Sequence, residues 1–212
     1  MIILVGQQKG GCGKSTVATN ISAVLAHQGL DVLLVDADCR QGTASMWYSE
    51  RVTSHSDLPK IHSVQKERDI EEALRDLQTR YQYVVVDAAG HDSQELRSAM
   101  IVTNILIMPF RPTNPDLATL PYMATLIKNS KRVNPELKAY AFLNAAPTNS
   151  QSKDSGFAGA AIGECSDITL LNTVVHHRRV YWDAMAEGLS VLEMDDHKAK
   201  TEITTLVAEI LK

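Results

Sequence analysis

Short apolar runs that stop abruptly in polar or glycine residues recur along the chain. The clearest are residues 2–5, 32–35 and 83–86, and 105–108 and 139–143 follow the same pattern, one ending at Pro109 and the other near Asn144 and Pro147. Runs that are apolar on both faces suit parallel strands covered by helices on either side. Helical periodicities lie between them. Residues 15–27 place Val17, Ile21, Val24 and Leu25 on one stripe before a stop at Gly29, and residues 67–80 do the same with Ile70, Ala73, Leu74 and Leu77. Near the end, Ile203, Leu206, Val207, Ile210 and Leu211 predict a last helix docked on the sheet rather than a basic, aromatic-anchored membrane-surface helix. Strands alternating with amphipathic helices imply βαβ units with right-handed crossovers. The predicted class is α/β: three layers, with a mostly parallel central sheet flanked by helices. Residues 148–159, rich in Ser, Asn, Gln and Gly, predict a mobile loop.

In such sheets ligands bind beyond the carboxyl ends of the strands. The first of those ends carries Gln8, Lys9, Gly10, Gly11, Cys12, Gly13, Lys14, Ser15 and Thr16, between a strand and a helix, the context a phosphate-binding loop requires. Its glycines allow a tight turn and close approach of backbone N–H groups to phosphate oxygens, and the positive end of the next helix adds to the anion site. Lys14 is then a point charge for the β and γ phosphates, and Ser15 offers a hydroxyl to magnesium. Cys12 reads as a small residue at a variable loop position, not a redox switch. The second strand ends in Asp36 and Asp38, two carboxylates that share a side if the strand persists and that need a cation or donors between them. The third ends in Asp87, in the Walker B manner, as a magnesium holder, with Gly90 spaced to sense the γ-phosphate through its N–H.

At 212 residues, 44% apolar and 22% charged, the chain fits one globular domain, 1–212. No basic leader precedes the first apolar run, and no stretch approaches the roughly 18 apolar residues of a membrane span, so a cytoplasmic protein is expected. Cys12, Cys39 and Cys165 lie in no metal or disulfide spacing. A formal net charge of -4 restricts nucleic-acid binding to a local basic patch.

The usual first glycine of a Walker A loop is replaced by Gln8, and Lys9 stands early in the loop, giving the deviant pattern KGGxGK[ST]. On these residues the chain resembles the ParA/MinD family of P-loop ATPases, and in particular small ParF-like plasmid partition ATPases. The resemblance extends to Asp36-Ala37-Asp38-Cys39-Arg40-Gln41 as switch I, with Arg40 where the family commonly has Pro, to residues 87–90 as switch II, to the proline-rich stretch 108–117, and to the tail 176–191. It implies a P-loop NTPase fold, ATP and Mg2+ as cofactors, and slow hydrolysis stimulated by a partner. Lys9 would reach across a nucleotide-sandwich homodimer to the other subunit's phosphates, and catalysis would rest on Lys9, Lys14 and Asp36, the last orienting water. Nucleotide contacts would come from residues 9–16, Gly90, Pro109, Arg111 and Pro112, and metal contacts from Ser15, Asp38 and Asp87.

The expected partners are a centromere-binding or cargo adaptor protein and non-specific DNA, with no membrane, so that the ATP form is nucleoid-associated. Candidate DNA-binding residues are Arg178, Arg179, Lys198 and Lys200, with Lys128, Lys131 and Arg132 joining once two subunits meet. The chain opens almost at once on its first strand, so sequence-specific operator reading is not expected. Plasmid segregation leads the functional expectations. Positioning of a protein cargo such as a microcompartment, chemoreceptor array or secretion apparatus is the alternative. A membrane-cycling regulator lacks its basic amphipathic tail here, and an iron–sulfur P-loop protein lacks a cysteine setting.

Overall fold

The computed structural model describes residues 1–149 and 153–212. From the amino terminus it runs β1 (Ile2–Val5), α1 (Lys14–His27), β2 (Val32–Ala37), α2 (Thr43–Ser54), β3 (His62–Gln65), α3 (Glu71–Arg80), β4 (Tyr83–Ala88) and α4 (Gln94–Met100). It continues through β5 (Ile105–Phe110), α5 (Asn114–Leu117), α6 (Leu120–Lys131), β6 (Lys138–Ala146), α7 (Lys153–Gly163), β7 (Thr169–His176), α8 (Val180–Ala186) and α9 (His197–Ile210). The strands form one sheet in the order β3-β2-β4-β1-β5-β6-β7, and every pairing among the described residues is parallel. The anticipated three-layer α/β architecture is therefore present, with a sheet that is wholly rather than mostly parallel.

Alternation along β1 shows how the layers are made. Ile2 and Leu4 face a core closed by α3, α4, α6 and α7, through Leu74, Leu96, Met123 and Ile162 among others. Ile3 and Val5 face the opposite core, closed by α1, α2, α8 and α9 through Ile21, Trp47, Ala184 and Ile203. Successive side chains point to opposite faces of a strand, so a run apolar at every position can only be satisfied by two covered faces. Because β4 and β5 pair on either side of β1, the loop after β1 emerges where the chain's crossovers change direction, the place where such sheets open a crevice.

Three sequence expectations change. Residues 153–163 form α7 rather than a loop, because Ala158 and Ile162 bury against the sheet and override the small, polar composition; residues 150–152 of the predicted loop lie outside the described residues. Pro109 does not end its strand, and β5 continues through it to Phe110. Ile107 accepts a hydrogen bond from Gly6 on the β1 side, and Pro109, two residues on, faces that same side after β1 has turned away, so its missing N–H leaves no gap in a ladder. The edge strands β3 and β7 were not anticipated, because exposed polar positions interrupt their apolar pattern.

Candidate nucleotide-binding site

The loop from Gln8 to Gly13 leaves the end of β1 and feeds α1. Gly13 caps the helix at φ 94°, a left-handed conformation that disfavours a Cβ, and a Cβ there would lie 2.5 Å from Asn144 Nδ2. Asn144, near the end of β6, donates to the Cys12 carbonyl at 2.7 Å and ties the loop to a strand one place beyond its neighbour β5. Among the described residues, none of the amides of residues 11–16 donates a hydrogen bond, although the loop is built into the protein's core edge. Amides left without partners together at a glycine-rich helix start can form an anion cradle. Lys14 is buried beneath it, its ammonium donating to the Lys9 carbonyl at 2.9 Å. The Lys9 side chain is half-buried, and its ammonium makes no hydrogen bond or ion pair among the described residues. Cys12 donates to the same Lys9 carbonyl, and burial pushes its thiol pKa up against the opposing charge of Lys14, which marks an inert thiol.

Asp87 is the unusual group. It is 1% exposed, and no hydrogen bond of good geometry satisfies either carboxylate oxygen. Burial raises its pKa to about 7; the nearby Ser15 hydroxyl and Lys14 pull it back, while Asp36 and Asp38 push it further up. Asp36 sits beside it, the two paired in register across β2 and β4. Gly90 follows in tight contact with the loop: a Cβ on it would lie 2.7 Å from Gly10 Cα and 3.0 Å from Lys14 Nζ.

Asp36 and Asp38 do not act as a pair on one side, because β2 ends at Ala37, between them. The Asp36 carboxylate is fully buried and engaged: it accepts the Ser45 N–H at 2.9 Å, the Ser45 hydroxyl at 2.6 Å and the Asp38 N–H at 3.1 Å. It fastens the first turn of α2. Asp38 is half-buried and lines a cavity with Ala37, Cys39, Arg40, His91 and Glu95, between the two predicted switches. Arg40 is exposed at the bend, where Gln41 and Gly42 both donate back to the Asp38 carbonyl.

A second cleft adjoins the loop on its other flank. Gly11, Cys12, Gly13, Thr16 and Arg111 form one wall; Asn144, Ala145, His176, His177, Arg178, Tyr181 and Trp182 form the other. Of the proline-rich stretch, only Arg111 reaches this cleft, with its guanidinium forked onto the fully buried Asp116 at 2.9 and 3.0 Å. Pro109 is buried inside β5, and Pro112 is half-buried in the bend beyond it. Sequence reasoning took Asn144 only as the end of a strand and singled out neither Ala145, His177 nor Trp182 for this cleft.

Comparison with known proteins gives the arrangement its family. Residues 1–125 match the family described as ATPase MipZ. Over 99% of its length the chain is 30% identical to the maintenance of carboxysome distribution protein A of Halothiobacillus neapolitanus, spanning 95% of that protein. The chain belongs to the ParA/MinD family of P-loop ATPases. Solved structures with the same fold include apo McdA of Cyanothece, with a TM-score of 0.81 at 16% identity over 100% of this chain and 99% of that one. The septum site-determining protein MinD of Pyrococcus horikoshii OT3, complexed with Mg-ADP, superposes with a TM-score of 0.77 at 20% identity over 100% and 96%.

As a ParA/MinD-family ATPase the chain must accommodate a nucleotide, and its residues fit one carrying a divalent metal. The partnerless amides suit phosphate oxygens, the contact of Gly90 with Gly10 leaves no room for a side chain, and the buried Asp87 carboxylate beside Ser15 suits a hard cation. Not every basic residue named from the sequence stands free in the fold. Arg178 is not a free cation: Glu202 accepts from it at 2.7 Å, and the pair is largely sheltered. Arg179 remains 86% exposed beside Asp183, and Lys198 and Lys200 stand on the first turn of α9. Lys128 and Lys131 belong to α6, on the opposite face of the sheet from α9, and Lys131 pairs with Asp167. Among the described residues no helix is long and apolar enough to cross a membrane.

Proposed function

We propose that this positioning ATPase binds Mg-ATP between β1 and β4, closes into a nucleotide-sandwich homodimer through Lys9, and hydrolyses slowly until a cargo-bound partner completes the site. The carrying observation is Asp87, a wholly buried carboxylate with no donor of its own at the end of β4. Such a group is costly unless a ligand supplies the missing partner. Bound Mg-ATP would supply the phosphoanhydride to be cleaved and a metal charge that stabilises the departing phosphate. Ser15 and Asp87 would hold the metal, the amides of residues 11–16 would orient the phosphates, and the Lys14 ammonium would neutralise them. Asp38 faces the cavity between the switches, so in this reading it orients water, and Asp36 holds the loop that carries it. The unpartnered Lys9 is the cation available to a second subunit.

The whole-length likeness to a carboxysome-distribution protein moves the expected cargo from a plasmid to a protein assembly. Arg179, Lys198 and Lys200 are the residues through which the ATP form would grip DNA without sequence preference. Calorimetry of ATP uptake with and without magnesium tests the core of this reading. Magnesium should tighten ATP binding to the native protein and have no such effect on Asp87→Asn; equal behaviour of the two proteins would refute it. A fluorescent fusion that followed a plasmid locus rather than a protein assembly would overturn the cargo assignment.

A further inference from the structure

Glu202, on α9, gathers donors from one short segment after β7. Its carboxylate accepts the His176 N–H at 3.2 Å, His176 Nδ1 at 2.8 Å, the Arg178 guanidinium at 2.7 Å and the Tyr181 hydroxyl at 3.3 Å. Burial raises the Glu202 pKa, but these partners outweigh it and hold the group below its usual range. His176, Arg178 and Tyr181 are also walls of the cleft beside the phosphate loop. Between and after them, His177 packs edge-on against Trp182, ring centroids 5.0 Å apart. Trp182 is 63% exposed on the rim of that cleft, a large planar apolar side chain left in water.

A second glutamate on the same helix isolates what is special here. Glu209 accepts the N–H groups of Asn172 and Thr173 at 2.7 and 3.0 Å, so both glutamates cover the open edge of β7, the last strand of the sheet. Edge covering alone therefore explains Glu209. Glu202 does this and also fixes side chains that line the cleft, while its charge cancels that of Arg178, leaving a wall suited to stacking rather than to phosphate.

We propose that Glu202 is a positioning residue for the base half of the nucleotide site: it sets segment 176–182 so that the His177 and Trp182 pair presents a stacking face to the nucleotide's ring. This rests on the reading that the loop takes a nucleoside triphosphate. An aromatic face against a base is worth roughly tenfold in affinity, or about 1.4 kcal/mol.

The test compares uptake of Mg-ATP with that of magnesium tripolyphosphate, which has the phosphates and no ring, on the full chain. Tryptophan emission is followed in parallel. The chain holds two Trp residues, and Trp47 is buried, so Trp182 is the one that a cleft ligand would quench. ATP, not tripolyphosphate, should change its emission. Glu202→Gln should weaken ATP about tenfold and shrink the emission change, leaving tripolyphosphate within about twofold. Glu209→Gln should behave as the native protein. If Glu202→Gln fails to fold, Glu202→Asp and the surface variant Trp182→Ala should each show the same ATP-selective loss. Equal weakening of both ligands, no weakening of either, or an identical effect of Glu209→Gln overturns the inference while leaving the nucleotide reading intact. A native protein that takes up neither ligand removes that reading, and this inference with it.

Discussion

Around the carboxyl ends of β1 and β4, polar groups stand without partners: the amides of residues 11–16, and both oxygens of Asp87, whose pKa rises to about 7. Around the ends of β6 and β7 and along the approach to α9, the charged groups are paired, and the buried Ser190 hydroxyl is the exception among the polar ones. Asn144 bonds Cys12, Arg178 bonds Glu202, and the carboxyls of Glu193, Glu202 and Glu209 all fall below their ordinary range. Buried polar groups are nearly always satisfied, so a cluster that is not marks where a ligand supplies the missing bonds. The satisfied cluster marks walls that are shaped in advance. The end of β4 with its facing loop waits for charge, and the cleft on the loop's other flank offers surface.

The largest expected effect comes from adding a single carbon where the two switches of the phosphate half meet the loop. In Gly90→Ala the new Cβ would stand 2.7 Å from Gly10 Cα and crowd Lys14, and neither backbone can yield without moving the loop. Turnover should fall by about a thousandfold, combining a displaced loop with a displaced cation. A steady-state ATPase assay decides this; near-native turnover would mean that the loop tolerates the crowding and that phosphate-half geometry is not tightly set.

A smaller effect separates the two aspartates of β2 and its loop. Asp38→Ala should lower kcat by about a hundredfold with ATP affinity little changed, as expected for a group that handles the attacking water. Asp36→Ala should instead cost stability, about 1–3 kcal/mol, because it releases Ser45 and the first turn of α2. Denaturant melts and single-turnover kinetics on both variants give the answer. The reverse pattern would return the catalytic role to Asp36.

How much of this was legible in the sequence divides along the same line. The phosphate half is one contiguous loop plus two strand ends, with glycines and charges at fixed spacing, so the gathering of Lys14, Ser15, Asp87 and Gly90 could be anticipated. The base half brings together Asn144, His177, Trp182 and Glu202 from β6, the loop after β7, α8 and α9. No local spacing links them. Arg178 looked like a free basic residue because its partner lies 24 positions away. The hold of Asp36 on Ser45 was hidden for a related reason: it is visible only once α2 is folded back. The strands of the sheet interior were legible because they are apolar at every position, whereas β3 and β7 are half-exposed edges. Residues 153–159 read as part of a loop from composition, and burial of Ala158, with Ile162 beyond it, makes them a helix.

The smallest effect on function at neutral pH appears as opposite pH slopes of stability in the ligand-free protein. Glu193 joins α2 to the segment before α9: it accepts from Arg51 at 2.7 and 3.0 Å and from Ser190 N–H at 2.7 Å, and it pairs with His27. Burial pushes its pKa up, but these donors prevail and bring it to about 2. Its unfolded value is higher, so its contribution is complete above about pH 5 and is lost as pH falls toward 2. Asp87 has the reverse sign: its folded value, about 7, exceeds the unfolded one of 3.8, so the folded state holds the proton longer and stability declines as pH rises from about 4 to 7. Melting temperatures of the native protein without nucleotide should therefore peak between these limbs. Magnesium and ATP should lift the neutral limb more than the acid one, since Asp87 gains its missing cation only where it is ionised, and Asp87→Asn should flatten that limb without touching the acid one. A single limb, or an equal response of both limbs to ligand, would mean that the two halves do not differ as their hydrogen bonds imply.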